Sequence, residues 1–367
     1  MSLELREGDF EAFFEAPFAA YGHASPYVSP LKSDLKRFLA PSNPLFSGAS
    51  KLTYWTAHKN GRVLGRITAH IHHESNECHH ELRGCFGYFD CVDDKEVAQA
   101  LLQQAEDWCR AQGMTRIAGN FNLTAMQQIG VVTDFFQNEP YTDQIWSPPY
   151  LQTLLDKCGY QAVFPMTTFE VDLTAVAPLK PGPKHQAIMD DPAFSFVPIT
   201  RKNIAARIED AREILNASFQ KNPMFVPVSK TEFAFQAKDM KWILDPRIST
   251  MLTYQDKPAA CVICIPDVNP FLRAIRSRLG WMLPWHFLKH RFFNKRAVVI
   301  FVGVMPDLQN LGVAPVMLRH MIRSLQKAGY EKMANTWIAD ENPASLAQAQ
   351  KVGGVPLHRL HLFEKML

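Results

Sequence analysis

The sequence predicts an α/β fold with mixed sheets, built from two halves that repeat the same order of elements. Both halves read as hairpin, strand, helix, strand, helix and strand, with the apolar spacing typical of each element. A segment rich in proline and glycine separates the halves. The same order of elements on both sides of a linker indicates an internal duplication.

The predicted linker, residues 175–193, has little apolar periodicity and contains several residues that interrupt regular structure: Pro178, Pro181, Gly182, Pro183 and Pro192. It predicts two domains of nearly equal length, residues 1–174 and 194–367. A chain of 367 residues is long enough for two domains of ordinary size.

The elements of the first half follow from local signals. Asn60-Gly61 is a strong turn signal inside the alternating stretch 52–72, which predicts a hairpin. The later elements are a strand at 84–92, a helix at 96–113, a strand at 115–121, a helix at 148–159 and a strand at 166–173.

The second half gives the same series. The stretch 249–266 predicts a hairpin, and the apolar run 297–304 predicts a strand. The later elements are a helix at 314–328, a strand at 332–339, a helix at 342–354 and a strand at 356–367. Glycines at the ends of both helices are typical helix stop signals.

The composition is that of a globular protein, with 47% hydrophobic and 20% charged residues. A net charge of +3 does not by itself indicate a nucleic-acid partner. The seven cysteines are scattered and odd in number, which does not indicate a disulfide framework. The acidic start lacks the layout of a signal peptide, and no apolar run reaches 18 residues. The sequence therefore predicts a cytoplasmic protein without a transmembrane segment.

The stretch "VMPDLQNLGVAP" connects the strand at 297–304 directly to a helix. The first turn of a helix carries unpaired backbone N–H groups and the positive end of the helix dipole. Gly312 and Ala314 leave room for an anion such as phosphate to reach these donors. No Lys-Ser/Thr pair follows, and three spaced glycines are absent, so neither the P-loop nor the dinucleotide fingerprint is present.

The pattern Gln309-x-x-Gly312-x-Ala314 after an apolar strand, followed by a strand, Asn342 and a helix, resembles the GNAT acetyltransferase superfamily over residues 194–367. The resemblance implies a tandem, two-copy member that uses acetyl-CoA or another acyl-CoA as co-substrate and needs no metal. It also implies a sheet whose two middle strands part, with the pantetheine arm between them. The residues that the resemblance assigns to the cofactor are Val302, Gly303, Val304, Gln309, Asn310, Leu311, Gly312, Val313, Ala314 and Asn342.

The sequence departs from the family pattern at the catalytic positions. Many members carry a tyrosine about seven residues after the asparagine, where this chain has Ala349, and a glutamate on the strand before the loop, where 297–304 has no ionisable side chain. Asp340 and Glu341 are the nearest carboxylates and the candidates for a general base. Both acids, like Asn342, also suit the N-terminus of a helix.

The first half is predicted to be a degenerate copy of the same fold. Its strand-to-helix junction carries Asp93, Asp94 and Glu96, which would repel phosphate. After the next strand, Asn120, Asn122 and Gln127 could orient a polar substrate or belong to an ordinary loop.

The histidine-rich tract 70–81 has no spacing that matches a closed zinc site. The sequence favours a solvated hairpin loop at this place and no bound metal.

An insert at 270–296 lengthens the connection before the loop strand. It contains seven Lys/Arg, two His and no acidic residue, interleaved with Trp and Phe. The favoured interpretation is a lid or wall over the acceptor site. The alternatives are a surface helix pair for anionic membrane or lipid, contacts to RNA, and a packing elaboration.

Together these features predict an acyltransferase, in the first instance an N-acetyltransferase, that moves an acyl group from acyl-CoA to an amine. The acceptor is a small molecule or a peptide. Two alternatives stay open: a Fem-type transferase that uses aminoacyl-tRNA, and a CoA-binding sensor without turnover.

Overall fold

The computed structural model describes residues 2–177, 182–200, 202–220, 225–238 and 240–367. These residues form two compact units. Unit 1 comprises 1–167, 271–286 and 357–367, and unit 2 comprises 168–270 and 287–356.

Fourteen strands are present in the described residues: β1 Glu4–Glu7, β2 Lys51–Lys59, β3 Arg62–Ile71, β4 Arg83–Cys91, β5 Arg116–Gly119, β6 Val131–Asp134, β7 Gln161–Asp172, β8 Phe194–Pro198, β9 Thr250–Tyr254, β10 Lys257–Pro266, β11 Arg296–Val304, β12 Lys332–Asn335, β13 Ile338–Ala339 and β14 Val355–Met366. The α-helices are α1 Phe10–Tyr21, α2 Lys32–Phe38, α3 His73–His79, α4 Lys95–Ala111, α5 Pro149–Lys157, α6 Pro183–Asp190, α7 Ile204–Ser218, α8 Lys230–Gln236, α9 Met240–Ile243, α10 Asn269–Ala274, α11 Leu283–Phe293, α12 Val313–Lys327 and α13 Pro343–Lys351.

The sheet of unit 1 runs in the order β1-β2-β3-β4-β5-β14, and only the β4–β5 pair is parallel. Asn60 and Gly61 both have positive φ and form the predicted turn between β2 and β3. Alternating side chains on β3 face opposite sides of the sheet. Ile67 and Ala69 join the core beneath α4, while α1 covers the other face with Phe13 and Phe14.

The sheet of unit 2 runs in the order β7-β12-β11-β10-β9-β8, and only the β11–β12 pair is parallel. On one face, Val316, Met317 and Leu325 of α12 pack into a core with Val262 and Val299. Helix α7 packs against β10 and β11. The mixed α/β fold with mixed sheets is confirmed.

The compact units differ from the predicted domains 1–174 and 194–367. Strand β14 continues the second half in sequence, but its residues 363–366 pair with β5 of unit 1. The first boundary between the units lies inside β7, between Thr167 and Thr168. The two ends of this strand therefore belong to different units. The insert 270–296 is likewise divided, at His286.

The predicted linker 175–193 contains a helix. Pro178 and Pro181 lie outside the described residues, but α6 begins at Pro183 and packs against α12. Proline is favourable at the first helical position because its missing N–H would have no partner there. Ile188 of α6 is buried in the core of unit 2, which holds this helix against the unit.

The prediction of a solvated hairpin loop at 70–81 is wrong. His73–His79 is helix α3, and His70 is fully buried on β3. Burial, together with the neighbouring His72, lowers the pKa of His70 well below its usual value. Among the ranges that the structure describes, no three His, Cys, Asp or Glu side chains are grouped so that they could hold a metal ion.

None of the described helices has both the length and the apolar character required to cross a membrane.

A buried ion pair lies in the interior of unit 1. The Nε of Arg66, which is 1% exposed, donates to Asp90 Oδ2 at 2.7 Å. Its two other nitrogens donate to the Phe13 carbonyl and to the Tyr27 hydroxyl, and the Tyr21 hydroxyl donates to Asp90. Every guanidinium nitrogen therefore has a partner, which offsets the cost of removing both charges from water.

We expect Arg66→Met to lower the free energy of unfolding of unit 1 by about 3–5 kcal/mol, because the Asp90 carboxylate would remain buried without its cation. Denaturant unfolding followed by circular dichroism measures the loss. Arg62→Met is the matched control on the same strand, since Arg62 is exposed and its loss should change stability by less than about 0.5 kcal/mol. Equal effects of the two substitutions would contradict a structural role for the pair.

Candidate functional site

The central feature of unit 2 is incomplete pairing between β11 and β12. Residues 297–304 of β11 pair with β10, whereas only Arg296–Val299 pair with β12. At the end of the paired part, Thr336 donates from its backbone N to the Val299 carbonyl and from its hydroxyl to the Ile300 carbonyl, both at 3.3 Å. Beyond this point no strand among the described residues pairs with this edge of β11, and we call the edge the strand gap (residues 301–304).

The backbone of Val302 and Val304 faces the strand gap. The Met305 N–H donates to Ala259, and in an antiparallel pair successive residues direct their backbone groups to opposite sides. Gly303 therefore bonds to β10, while Val302 and Val304 point away from it. The expected parting of the two middle strands is thus present, and of the three strand residues assigned to the cofactor, Val302 and Val304 face it whereas Gly303 does not.

The carbonyl of Val304 is already occupied. It accepts a hydrogen bond from the Ser218 hydroxyl at 2.9 Å and one from Gln309 Nε2 at 3.1 Å. This leaves Val302 as the gap residue whose backbone N–H and carbonyl can pair with an extended ligand.

Gly303 is required by close packing on the other face of β11. A Cβ atom at this position would lie 2.8 Å from Ile214 Cγ2 and 3.1 Å from Ser218 Oγ, both on α7. The absence of a side chain lets α7 approach the strand, which places the Ser218 hydroxyl within reach of the Val304 carbonyl.

The loop after β11 begins with a 3₁₀ turn at Pro306–Leu308 and ends at Gly312, the residue before α12. Gly312 has φ 93°, a left-handed conformation that favours glycine, and Asn310 has φ 67°. The first turn of α12 contains no acidic residue.

The backbone donors of the loop are mostly unoccupied. Within the described ranges, residues 309–312 form a turn, but none of the N–H groups of residues 310–314 donates a hydrogen bond of standard geometry. The prediction for Gln309 needs correction, because its N–H donates to the Pro306 carbonyl at 3.2 Å and its side chain bonds to Val304. Gln309 therefore fixes the loop to the strand, and the available donors belong to Asn310, Leu311, Gly312, Val313 and Ala314.

Asn342 is the N-cap of α13. Its side-chain oxygen accepts from the Ser345 N–H at 3.1 Å, which is the helix-capping role considered for it. Asp340 and Glu341 precede it and are exposed. Their role as a general base stays a prediction.

In unit 1 the corresponding junction lies between β4 and α4, and a side chain of the junction itself caps the helix. Asp94 is the N-cap of α4, and its carboxylate accepts from the Glu96 N–H at 2.8 Å. Further along, Asn120 accepts from the backbone of Phe89 and Asn122 from that of Tyr88. These two asparagines fix their loop to β4, whereas the side-chain oxygen of Gln127 is buried with no partner in the described part of the chain.

Two residues of the site were missed at the level of sequence. Thr336 carried a weak signal, as a polar residue directly after a short apolar strand. Ser218 carried none, because it lies 86 positions from the carbonyl that it contacts.

Residues 208–353 match the acetyltransferase (GNAT) family model. Two curated relatives match over nearly the whole chain. Protein YghO of Escherichia coli is 26% identical, over 99% of this chain and 94% of its own length. A bacterial ceramide synthase of Caulobacter vibrioides is 25% identical, over 98% of this chain and 95% of its own length.

Two solved structures share the fold. A tandem GNAT protein from the clavulanic acid biosynthesis pathway superposes with a TM-score of 0.61 at 12% identity, covering 100% of this chain and 98% of that one. A GCN5-related N-acetyltransferase from Sphaerobacter thermophilus gives 0.57 at 11% identity, covering 99% and 95%. Residues 208–353 therefore resemble the GNAT family, in a chain that has the fold of a tandem GNAT protein.

Proposed function

We propose that unit 2 binds an acyl-CoA and transfers its acyl group to an amine. The pyrophosphate lies on the backbone N–H groups of residues 310–314, and the pantetheine arm extends along the strand gap beside Val302. An amide-bearing arm can bond to a strand edge as another strand would. A pyrophosphate is favoured at a helix N-terminus that carries free donors and no acid.

The observation that carries the proposal is that both features occur at the same end of β11. The gap begins after Val299, and the free N–H groups begin at Asn310, joined by a loop that Gln309 holds against Val304. A ligand with an extended polar arm and a diphosphate matches this combination. The family match over 208–353 supports the same donor.

In the proposed reaction the amine nitrogen attacks the thioester carbonyl carbon, the C–S bond breaks and the CoA thiolate leaves. Asp340 or Glu341 takes the proton lost by the nitrogen, directly or through water. Catalysis then depends mainly on positioning the two reactants.

The acceptor that we propose is the amine of a long-chain amino alcohol. A ceramide is the amide of a fatty acid with such a base, and the match to the ceramide synthase of Caulobacter vibrioides covers 98% of this chain and 95% of the synthase. The donor is then a long-chain acyl-CoA in preference to acetyl-CoA, with the cytoplasm as the compartment.

We expect CoA and acyl-CoA at about 100 times Kd to raise the Tm of the wild type by about 5 °C, since such binding adds about 2.7 kcal/mol. Gly312→Glu should abolish the rise, because its side chain fills and charges the phosphate position. Gly353→Glu is the matched control, with a similar φ of 81° and open space around it, and should retain the rise. A wild type that responds to no CoA compound would refute the proposed donor.

We expect Asn342→Ala to lower stability by about 1 kcal/mol, because the cap of α13 is lost. Asn342→Asp keeps the capping oxygen but replaces the amide donor with a negative charge. If Asn342 also contacts the cofactor, Asp at this position should lower CoA affinity about tenfold while stability is unchanged. Calorimetric titration with CoA decides the point, since unchanged affinity would restrict Asn342 to capping.

We expect thiol release from a long-chain acyl-CoA only when a long-chain amino alcohol is present, with much slower release from acetyl-CoA or with short amines. A thiol-reactive dye measures the rate. Binding of CoA without thiol release for any amine would favour the sensor interpretation. Binding of aminoacyl-tRNA in place of CoA, falling steeply with salt, would favour the Fem-type interpretation.

A further inference from the structure

The segment 279–293 exposes more apolar surface than any comparable stretch of the described chain. Its large exposed side chains are Leu279, Trp281, Met282, Trp285, Phe287, Leu288, Phe292 and Phe293. Elsewhere such side chains occur singly: Leu82, Met189, Trp242, Leu311, Val355 and Met366. Single exposed apolar residues are ordinary, whereas a contiguous group of this size marks a surface that binds something.

Helix α11 turns its apolar side outward. Trp285, Leu288 and Phe292 follow at spacings of three and four, so they share one face, and they are 61%, 51% and 74% exposed. On the opposite side, His286 and His290 are half-buried, and burial lowers the pKa of His290 to about 4. This is the reverse of an ordinary surface helix, whose apolar stripe faces the core.

Trp281 extends the same surface ahead of the helix. It is 89% exposed, more than any other large apolar side chain described. Tryptophan is favoured where an apolar region meets water, because its ring is apolar while its N–H remains hydrogen-bonded.

The insert brings seven cations to this surface, and four of them are paired with acids from outside the insert: Arg273, Arg278, Lys295 and Arg296. The insert 270–296 contains no Asp or Glu. Arg276 and Lys289 are exposed, and no carboxylate in the described part of the chain forms an ion pair with either. Arg291 is exposed and lies 3.9 Å from its nearest acid, Asp245. Uncompensated positive charge beside apolar surface is complementary to anionic lipid head groups.

We propose that residues 279–293 bind the surface of an anionic lipid bilayer, with Trp281 and the outward face of α11 inserted at the head-group level. Exposed tryptophan beside cations is typical of segments that lie at the head-group level of a membrane. Lys289 and Arg291 lie on either side of the apolar face and would contact lipid phosphates. A nucleic acid fits less well, since Leu279, Met282 and Leu288 offer no ring on which bases stack.

None of these residues belongs to the strand gap or to the loop 310–314. The surface would therefore bind a membrane whether or not the chain transfers acyl groups. Failure of CoA binding and failure of membrane binding are separate results.

The test is flotation of the full chain with phosphatidylcholine vesicles and with vesicles that contain 30% phosphatidylglycerol (about one anionic lipid in three). We expect binding to the anionic vesicles that weakens as salt rises. The double variant Trp281→Ser/Trp285→Ser should lower the partition coefficient at least about tenfold. Lys289→Gln should lower it about fivefold, through the loss of one cation near the lipid surface.

Lys257→Gln is the matched control for charge. Lys257 is the first residue of β10, which pairs antiparallel with β11. It therefore lies near Val304, at the end of β11, whereas the insert joins β11 at its start, Arg296. Eight residues of strand separate these ends by about 26 Å, well beyond the screening length in physiological salt. Leu82→Ser is the control for an exposed apolar side chain. Both controls should bind vesicles as the wild type does.

Four results would overturn the proposal. The wild type could fail to bind anionic vesicles, or bind neutral and anionic vesicles equally. The Trp and Lys variants, folded by circular dichroism, could bind as well as the wild type. The chain could instead be a dimer in solution that the Trp variant converts to monomer, in which case a second copy covers the surface.

Discussion

The unpaired edge of β11 is the constraint on which the site depends. A strand inside a sheet normally has both edges bonded, and leaving backbone groups without partners costs free energy. Here the described residues supply partners at both ends of the opening and none in the middle. Thr336 bonds to Val299 and Ile300 at the closed end, and Ser218 and Gln309 bond to Val304 at the open end.

These contacts make the opening a built feature, since each end is fixed by side chains from other elements. Helix α7 reaches Val304 only because Gly303 has no side chain. Gln309 connects the strand edge to the loop, so the direction of the free N–H groups is tied to the position of the gap. This connection fixes the distance between the strand edge and the free N–H groups, so that a single extended ligand can contact both.

Local patterns were sufficient for the elements around this site. The apolar run at 297–304 and the helical spacing that follows it predicted β11 and α12 to within one residue. Patterns failed where the deciding contact is distant in sequence. Strand β14 pairs with β5 more than 200 positions earlier, and a periodic pattern identifies a strand without identifying its neighbour. The prediction at α3 failed for another reason, because a polar, histidine-rich sequence has no apolar periodicity that would indicate a helix.

The role of Gln309 shows the limit of transferring a motif. The pattern placed it among the phosphate ligands, and the structure gives its side chain and its N–H to the protein itself. Position in a motif identifies the neighbourhood of a residue, whereas its hydrogen bonds decide what remains for a ligand. The same distinction applies to Asn342, whose oxygen caps a helix.

The two halves share an order of elements but differ at the start of the helix after the sheet. In unit 1 the Asp94 carboxylate bonds to the first turn of α4, so a negative group already occupies the place that an anion would take. In unit 2 the equivalent residue is Gly312, which provides no side chain and holds a left-handed conformation. A helix whose first N–H groups are capped by a side chain is stabilised by the cap, but the capped groups cannot bind phosphate. A helix start without a side-chain cap lacks that stabilisation and keeps its N–H groups available for an anion. The two halves therefore differ at a single capping position, which is satisfied internally in unit 1 and left open in unit 2.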